Sequence, residues 1–139
     1  MDPPHISHAS MSPRRFAVKQ SGPPEVQAGV ARGTVFSYHL SKKADVFFFL
    51  DRGTRGRVVD GHCRRETRAN RDHNRCVFYV RSGSFKQVGK EGANVKAFSG
   101  RIGTRTLTPA HYKVTLVAVD DMGNPSTPGT VLRFTLLPG

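Results

Sequence analysis

Residues 107–124, LTPAHYKVTLVAVDDMGN, leave few folds open. Within them Tyr112, Val114, Leu116 and Ala118 alternate with more polar positions, the period of two that marks a half-buried strand. Thr108-Pro109-Ala110 is a turn approach, and the run from Asp120 to Pro125 is dense in turn residues. Val131-Leu132-Arg133-Phe134-Thr135-Leu136 offers a second strand, so the two read as a hairpin. That hairpin fits the closing strands of a small β-sandwich.

Strand candidates recur along the rest of the chain, with no helical 3.6-residue pattern longer than a turn or two. Residues Ile6–Val18 read as an extended edge segment broken by Pro13, since proline cannot donate to an interior ladder. Residues 20–33 are a Gly- and Pro-rich loop. Thr34–Leu40 alternates Phe36, Tyr38 and Leu40 on one face, a polar turn follows at Ser41–Ala44, and Asp45–Leu50 is the most apolar run. The spacing predicts a second hairpin over Thr34–Leu50. Val77–Val80 resumes strand character, Asn94–Phe98 is a weaker strand, and Ser99–Thr106 a turn region. At 139 residues the chain is long enough for one domain. Residues 1–33 are expected to supply an edge strand and loop, and 34–139 the body. With nine Phe and no Trp, phenylalanine must provide the aromatic bulk. The expected core is Phe36, Tyr38, Leu40, Val46, Phe48, Leu50, Phe78 and Val80, with Val114, Leu116, Ala118, Leu132, Phe134 and Leu136 from the carboxyl-terminal half.

The chain carries 22 Lys+Arg against 10 Asp+Glu, a net charge of +12. Such a balance favours anionic partners, whether nucleic acid, acidic glycans, wall polymers or phospholipid. Much of the excess lies in one segment, Arg52–Arg75, as Arg52, Arg55, Arg57, Arg64, Arg65, Arg68, Arg71 and Arg75. Val58 and Val59 are nearly the only apolar residues there, which reads as one long Arg-rich loop suited to binding anions. Nucleic-acid surfaces usually add stacking aromatics or a groove-reading helix. No Phe, Tyr or Trp stands between Arg52 and Arg75, so any nucleic-acid binding would be non-specific.

Cys63 and Cys76 close that segment. A disulfide between them would stabilise a stretch too polar to order itself, and would require an oxidising compartment. His62, Cys63, His73 and Cys76 also make a legitimate tetrahedral zinc set, although His62 and Cys63 are adjacent and no C-x-x-C knuckle is present. The disulfide is the preferred reading, with no metal. Asp120-Asp121-Met122-Gly123-Asn124 lacks the alternating ligands of a calcium loop and reads as a turn in which Asp120 caps backbone N–H groups. There is no G-x-S-x-G elbow, no H-E-x-x-H and no phosphate-cradling Gly-rich loop. The residues Met1-Asp2-Pro3-Pro4-His5 lack the basic start and apolar core of a signal peptide, which leaves either a cytoplasmic protein or a piece of a longer exported chain. No stretch approaches the length of a membrane span.

Several pieces, in order, carry a resemblance. They are Ser12-Pro13-Arg14-Arg15-Phe16, the run from Gly33 through Tyr38 to Val46, and the Gly-His-Cys…Arg-Cys segment. Val80–Phe85, Gly92-Ala93-Asn94, Phe98–Arg101 and Leu107–Asn124 complete it. Together they resemble the immunoglobulin-like or fibronectin type III-like sandwich modules of secreted and surface proteins of actinobacteria. The resemblance covers nearly the whole chain. It implies an antiparallel β-sandwich of about seven strands. It also implies a structural corner at Tyr112 with Asp120 and Asn124 behind it, and a binding, spacer or adhesive module with neither catalysis nor cofactor. The expectation is therefore a secreted or cell-surface module attached to other domains of a larger protein and presenting its basic loop to anionic polymers. The alternatives are a cytoplasmic nucleic-acid-binding protein and a polysaccharide-binding accessory of a hydrolase using Phe47, Phe49 and Tyr79.

Overall fold

The computed structural model of the protein describes residues 2–19 and 31–139. Most of the loop read over residues 20–33 lies outside them. The described chain is all-β, in eleven strands: β1 Ile6–Ser12, β2 Arg15–Ala17, β3 Thr34–Leu40, β4 Ala44–Val59, β5 His62–Arg65, β6 Arg75–Gly89, β7 Gly92–Phe98, β8 Arg101–Ile102, β9 Arg105–Thr106, β10 Ala110–Val119 and β11 Thr130–Leu137. One sheet has the order β1-β3-β7. The larger runs β2-β11-β10-β4-β5, with β6 also paired to β4, and β8 and β9 form a small ribbon of their own.

Pro13 marks a change of sheet. β1 edges the three-stranded sheet, the chain turns at Ser12-Pro13-Arg14, and β2 edges the larger one by pairing parallel to β11. The proline therefore sits where no ladder needs its N–H. The carboxyl-terminal hairpin forms as its alternation predicts, with Tyr112 opposite Phe134 and Val114 opposite Leu132.

The hairpin expected over Thr34–Leu50 does not form. β3 pairs with β1 and β7, whereas β4 pairs with β10 and β6. The turn at Ser41–Lys43 carries the chain from one sheet to the other, so that the inward faces of β3 and β4 confront each other. Phe36 meets Phe48 with ring centroids 5.2 Å apart, and Tyr38 meets Phe48 at 6.1 Å. Alternation is the same for a hairpin and for a crossing between layers, so the sequence pattern could not separate them.

The two sheets share one core. Phe16, Phe36, Phe48, Phe98 and Phe134 are buried in it, with Tyr38 and Tyr112. Phe85 stacks on Phe48 at 4.6 Å and Tyr112 on Phe134 at 5.2 Å, so linked rings do the work a central Trp could have done. Twelve of the expected core residues are buried, but Phe78 and Val80 are only half-buried and belong outside it. They lie on the part of β6 that has run past the core.

Candidate anion-binding ribbon

The arginine-rich segment is strand over about half its length and loop only at a tight turn and at the crossover that follows β5. β4 continues through Arg52, Arg55 and Arg57 to Val59, paired with β6 from Ala44 as far as Arg57. At Val59 it reverses through Asp60 and Gly61, with φ of 52° and 78°, and returns as β5. Positive φ at both central residues is the signature of a type I′ hairpin turn, for which Asp-Gly is a favoured pair. The crossover from β5 to β6 then passes over the end of β4. β4 is thus the middle of a three-stranded ribbon, and Arg52, opposite Tyr112, is its last residue paired with β10. Beyond Gly53 the ribbon projects by roughly 20 Å. The low apolar content that suggested an excursion reflects a structure held by backbone ladders and a covalent tie rather than by a core.

That tie is a disulfide between Cys63 of β5 and Cys76 of β6, with the Cα atoms 6.0 Å apart. Both sulfurs are spent in it, so the thiolates that a zinc site with His62 and His73 would need are absent. The two outer strands of a flat three-stranded ribbon lie about 9.5 Å apart. The bond therefore curls β5 and β6 toward each other across β4. Gly56 makes that passage available: a Cβ on it would stand 2.6 Å from Cys63 Sγ and 3.0 Å from Cys76 Sγ.

The crossover is built by Asn70. Its Oδ1 accepts from the Thr67 N–H at 2.8 Å, its Nδ2 donates to the Arg65 carbonyl at 2.9 Å, and its own carbonyl accepts from the His73 N–H at 2.9 Å. Arg57 binds the crossover to β4, donating through Nε to Glu66 Oε2 at 2.9 Å and through Nη1 to the His73 carbonyl at 2.8 Å.

Four of the eight predicted arginines converge. Arg55, Arg57, Arg71 and Arg75 line one cleft of about 440 Å³ with Glu66, over a floor of Gly56 and Cys76. Arg57 stands directly across from Arg75 on one side and Arg64 on the other. Like charges directly opposite one another destabilise a sheet. Only Arg57 has a carboxylate partner in this group; the side chains of Arg55, Arg64, Arg71 and Arg75 form no hydrogen bond or ion pair among the described residues. Glu66 responds to this field. The hydrogen bond from Arg57, aided by the charges of Arg57, Arg55 and Arg71, holds its carboxyl below the usual range against the cost of desolvation.

The other predicted arginines are dispersed. Arg52 lies in a second cleft of about 370 Å³ with Arg81 and Arg105. Arg65 rests over the Phe78 ring at 5.6 Å, and Arg68 is exposed on the crossover. Sequence reasoning missed Gly56, Asn70 and the partner role of Glu66. A glycine inside a run that could be strand is a usable sign of close approach, and T-x-x-N after a strand is a turn signal.

At the base of the larger sheet, Tyr112 is buried and its hydroxyl donates to the Thr108 carbonyl at 2.6 Å, the contact of a tyrosine corner. Asp120 organises the following turn: Oδ1 accepts from the Asn124 and Met122 N–H groups at 2.8 and 3.1 Å, and Oδ2 pairs with Lys42 Nζ at 3.0 Å. On the outer face of the sheet Phe47 and Phe49 stack at 6.2 Å. Arg81 covers Phe49 at 4.8 Å and Lys113 covers Tyr79 at 4.4 Å. Comparison with protein-family models, with curated proteins and with solved structures gave no match.

Proposed function

We propose that this chain is a non-catalytic binding or spacer module of a larger exported protein, of the immunoglobulin-like or fibronectin type III-like sandwich kind, whose stapled ribbon engages anionic polymers outside the cell. The observation that carries the reading is the convergence of Arg55, Arg57, Arg71 and Arg75 on one cleft at the end of a ribbon that contributes nothing to the core. Natural chains rarely hold cross-strand arginines together unless function repays the repulsion. The sandwich assignment rests on three facing features: the order β1-β3-β7, the order β11-β10-β4-β6 opposite it, and the tyrosine corner at the start of the penultimate strand. Export is supported by the disulfide, which persists in oxidising compartments.

The nucleic-acid reading is weaker because the cleft offers bases no stacking surface. The polysaccharide-accessory reading is weaker because two of its three candidate aromatics already carry a cation over the ring. The test is retention on an insoluble anionic glycan. A variant with Arg55, Arg64, Arg68, Arg71 and Arg75 changed to Gln should elute at much lower salt than the parent chain. Lys and Arg removed in equal number from the body of the domain should shift elution far less. Equal shifts would sink the proposal.

A further inference from the structure

The cleft holds four guanidinium groups against one carboxylate, a formal surplus of three positive charges at one spot. Each guanidinium presents five N–H donors in a planar fork. Arg57 uses Nε and Nη1 on Glu66 and His73, while Arg55, Arg71 and Arg75 use none on the described residues. The cleft is therefore rich in unspent, convergent donors. It also already contains one anion in a binding pose, the Glu66 side chain on Arg57. Glu66 satisfies a single member of the group and leaves the Arg57–Arg75 and Arg57–Arg64 repulsions in place.

We propose that the cleft binds a sulfate or phosphate ester group carried on an anionic glycan, and that this ester displaces Glu66 from Arg57. The proposal rests on the reading of the ribbon as a polyanion-binding element. A tetrahedral oxyanion has acceptors facing several directions and can meet three or four guanidinium forks, where a carboxylate offers two oxygens in one plane. A glycan is favoured over a nucleic acid because the cleft lining contains no aromatic residue, and the neighbouring rings of Phe78 and Tyr79 lie under Arg65 and Lys113. Glu66 acts as an internal counter-anion. It holds the crossover closed when no ligand is present and sets a threshold that a lone carboxylate, with two oxygens in one plane, does not clear.

The test titrates the full disulfide-bonded chain with a heparin-derived oligosaccharide, with an oligosaccharide bearing phosphate monoesters and with a single-stranded oligonucleotide of matched charge. Arg71→Gln removes a side chain with no hydrogen-bond or ion-pair partner among the described residues, and should weaken binding of either oligosaccharide by about tenfold. Arg133→Gln, an exposed charge on β11, should weaken it by no more than about twofold. Glu66→Gln and Glu66→Asp should both tighten binding by about threefold to tenfold, the first by removing the competitor and the second by shortening its reach while keeping its charge. Preference between the sulfated and phosphorylated probes identifies the source of the ester. Equal losses for Arg71→Gln and Arg133→Gln overturn the cleft assignment, and a Glu66→Asp variant that binds like the parent overturns displacement. Tighter binding of the oligonucleotide than of either glycan overturns the ligand class. Absence of binding to every polyanion would instead remove the underlying reading of the ribbon, whereas binding that depends on Arg64 and Arg68 but not Arg71 leaves that reading standing and removes the cleft.

Discussion

Gly56 lies beneath Cys63 so closely that a Cβ there would stand 2.6 Å from the sulfur, while the Cys76 sulfur sits 3.0 Å from the same point. The disulfide passes over the middle strand of the ribbon because that strand has no side chain to obstruct it. Both sulfurs are held by their shared bond and by the pairing of β5 and β6 to β4, so neither can move aside cheaply. Gly56→Val should therefore prevent closure of the bond or unpair β5 from β4. Alkylation of the unreduced protein, followed by intact mass, should find two reactive thiols in the variant and none in the parent. A fully oxidised Gly56→Val protein with unchanged exchange protection in β5 would refute the close passage.

The same geometry predicts a local role for the staple. It closes a loop with a sequence separation of 13, for which the chain-entropy model gives about 3 kcal/mol. No ribbon side chain belongs to the core, so the loss should fall on the ribbon rather than on the whole domain. With both cysteines replaced by serine, amide protection should fall across 54–59 and 62–77 and persist across 112–118. Uniform loss of protection would mean that the ribbon and core unfold as one unit. Anion binding should weaken in parallel, since Arg75 and Arg71 would no longer be held against Arg57.

Much of this could be read from the chain, and the limits have physical causes. The β10–β11 hairpin was legible because alternation, turn residues and length agreed. The pairing of Thr34–Leu40 was not, since alternation reports which face is buried and says nothing of which strand lies alongside. The ribbon was misread because apolar periodicity stood in for strand structure. Arg52, Arg55 and Arg57 form a strand whose stability comes from ladder hydrogen bonds, and hydrophobic pattern is silent on those. Asp60-Gly61 was the available signal: an Asp-Gly pair flanked by Val58-Val59 on one side and by His62 and Cys63 on the other predicts a two-residue hairpin. Which four arginines would meet was beyond reach, because it depends on Arg57 and Arg75 being opposite in register and on the path of the crossover.

Tyr112 contributes through its hydroxyl as well as its ring. The ring is buried against Phe134, and the hydroxyl gives the Thr108 carbonyl a partner at 2.6 Å. Tyr112→Phe keeps the stacking and removes the donor, so it should cost about 1–2 kcal/mol. Chemical denaturation should show a lower midpoint with an unchanged slope, because the surface exposed on unfolding is the same. A variant as stable as the parent would show that the corner hydrogen bond is dispensable here.

Asp120 makes the domain sensitive to acid. Its carboxyl is lowered from 3.8 to about 2, chiefly by the backbone hydrogen bond from Asn124 and further by Lys42 and the Asn124 side chain, against desolvation. A carboxyl whose folded pKa lies below its unfolded value adds stability that is present in full above the unfolded pKa. That contribution disappears as the pH falls toward the folded pKa, here between about pH 4 and about pH 2. Glu66 acts with the same sign, so the two together should steepen acid unfolding. Thermal melts across that range should show the parent losing stability steadily. In Asp120→Asn the ion pair with Lys42 is gone and the side chain no longer titrates, so the melting temperature should be lower at neutral pH and fall less on acidification. Convergence of the two curves near pH 2 is the expected result, and parallel curves would show that the Asp120 carboxylate does not couple to folding.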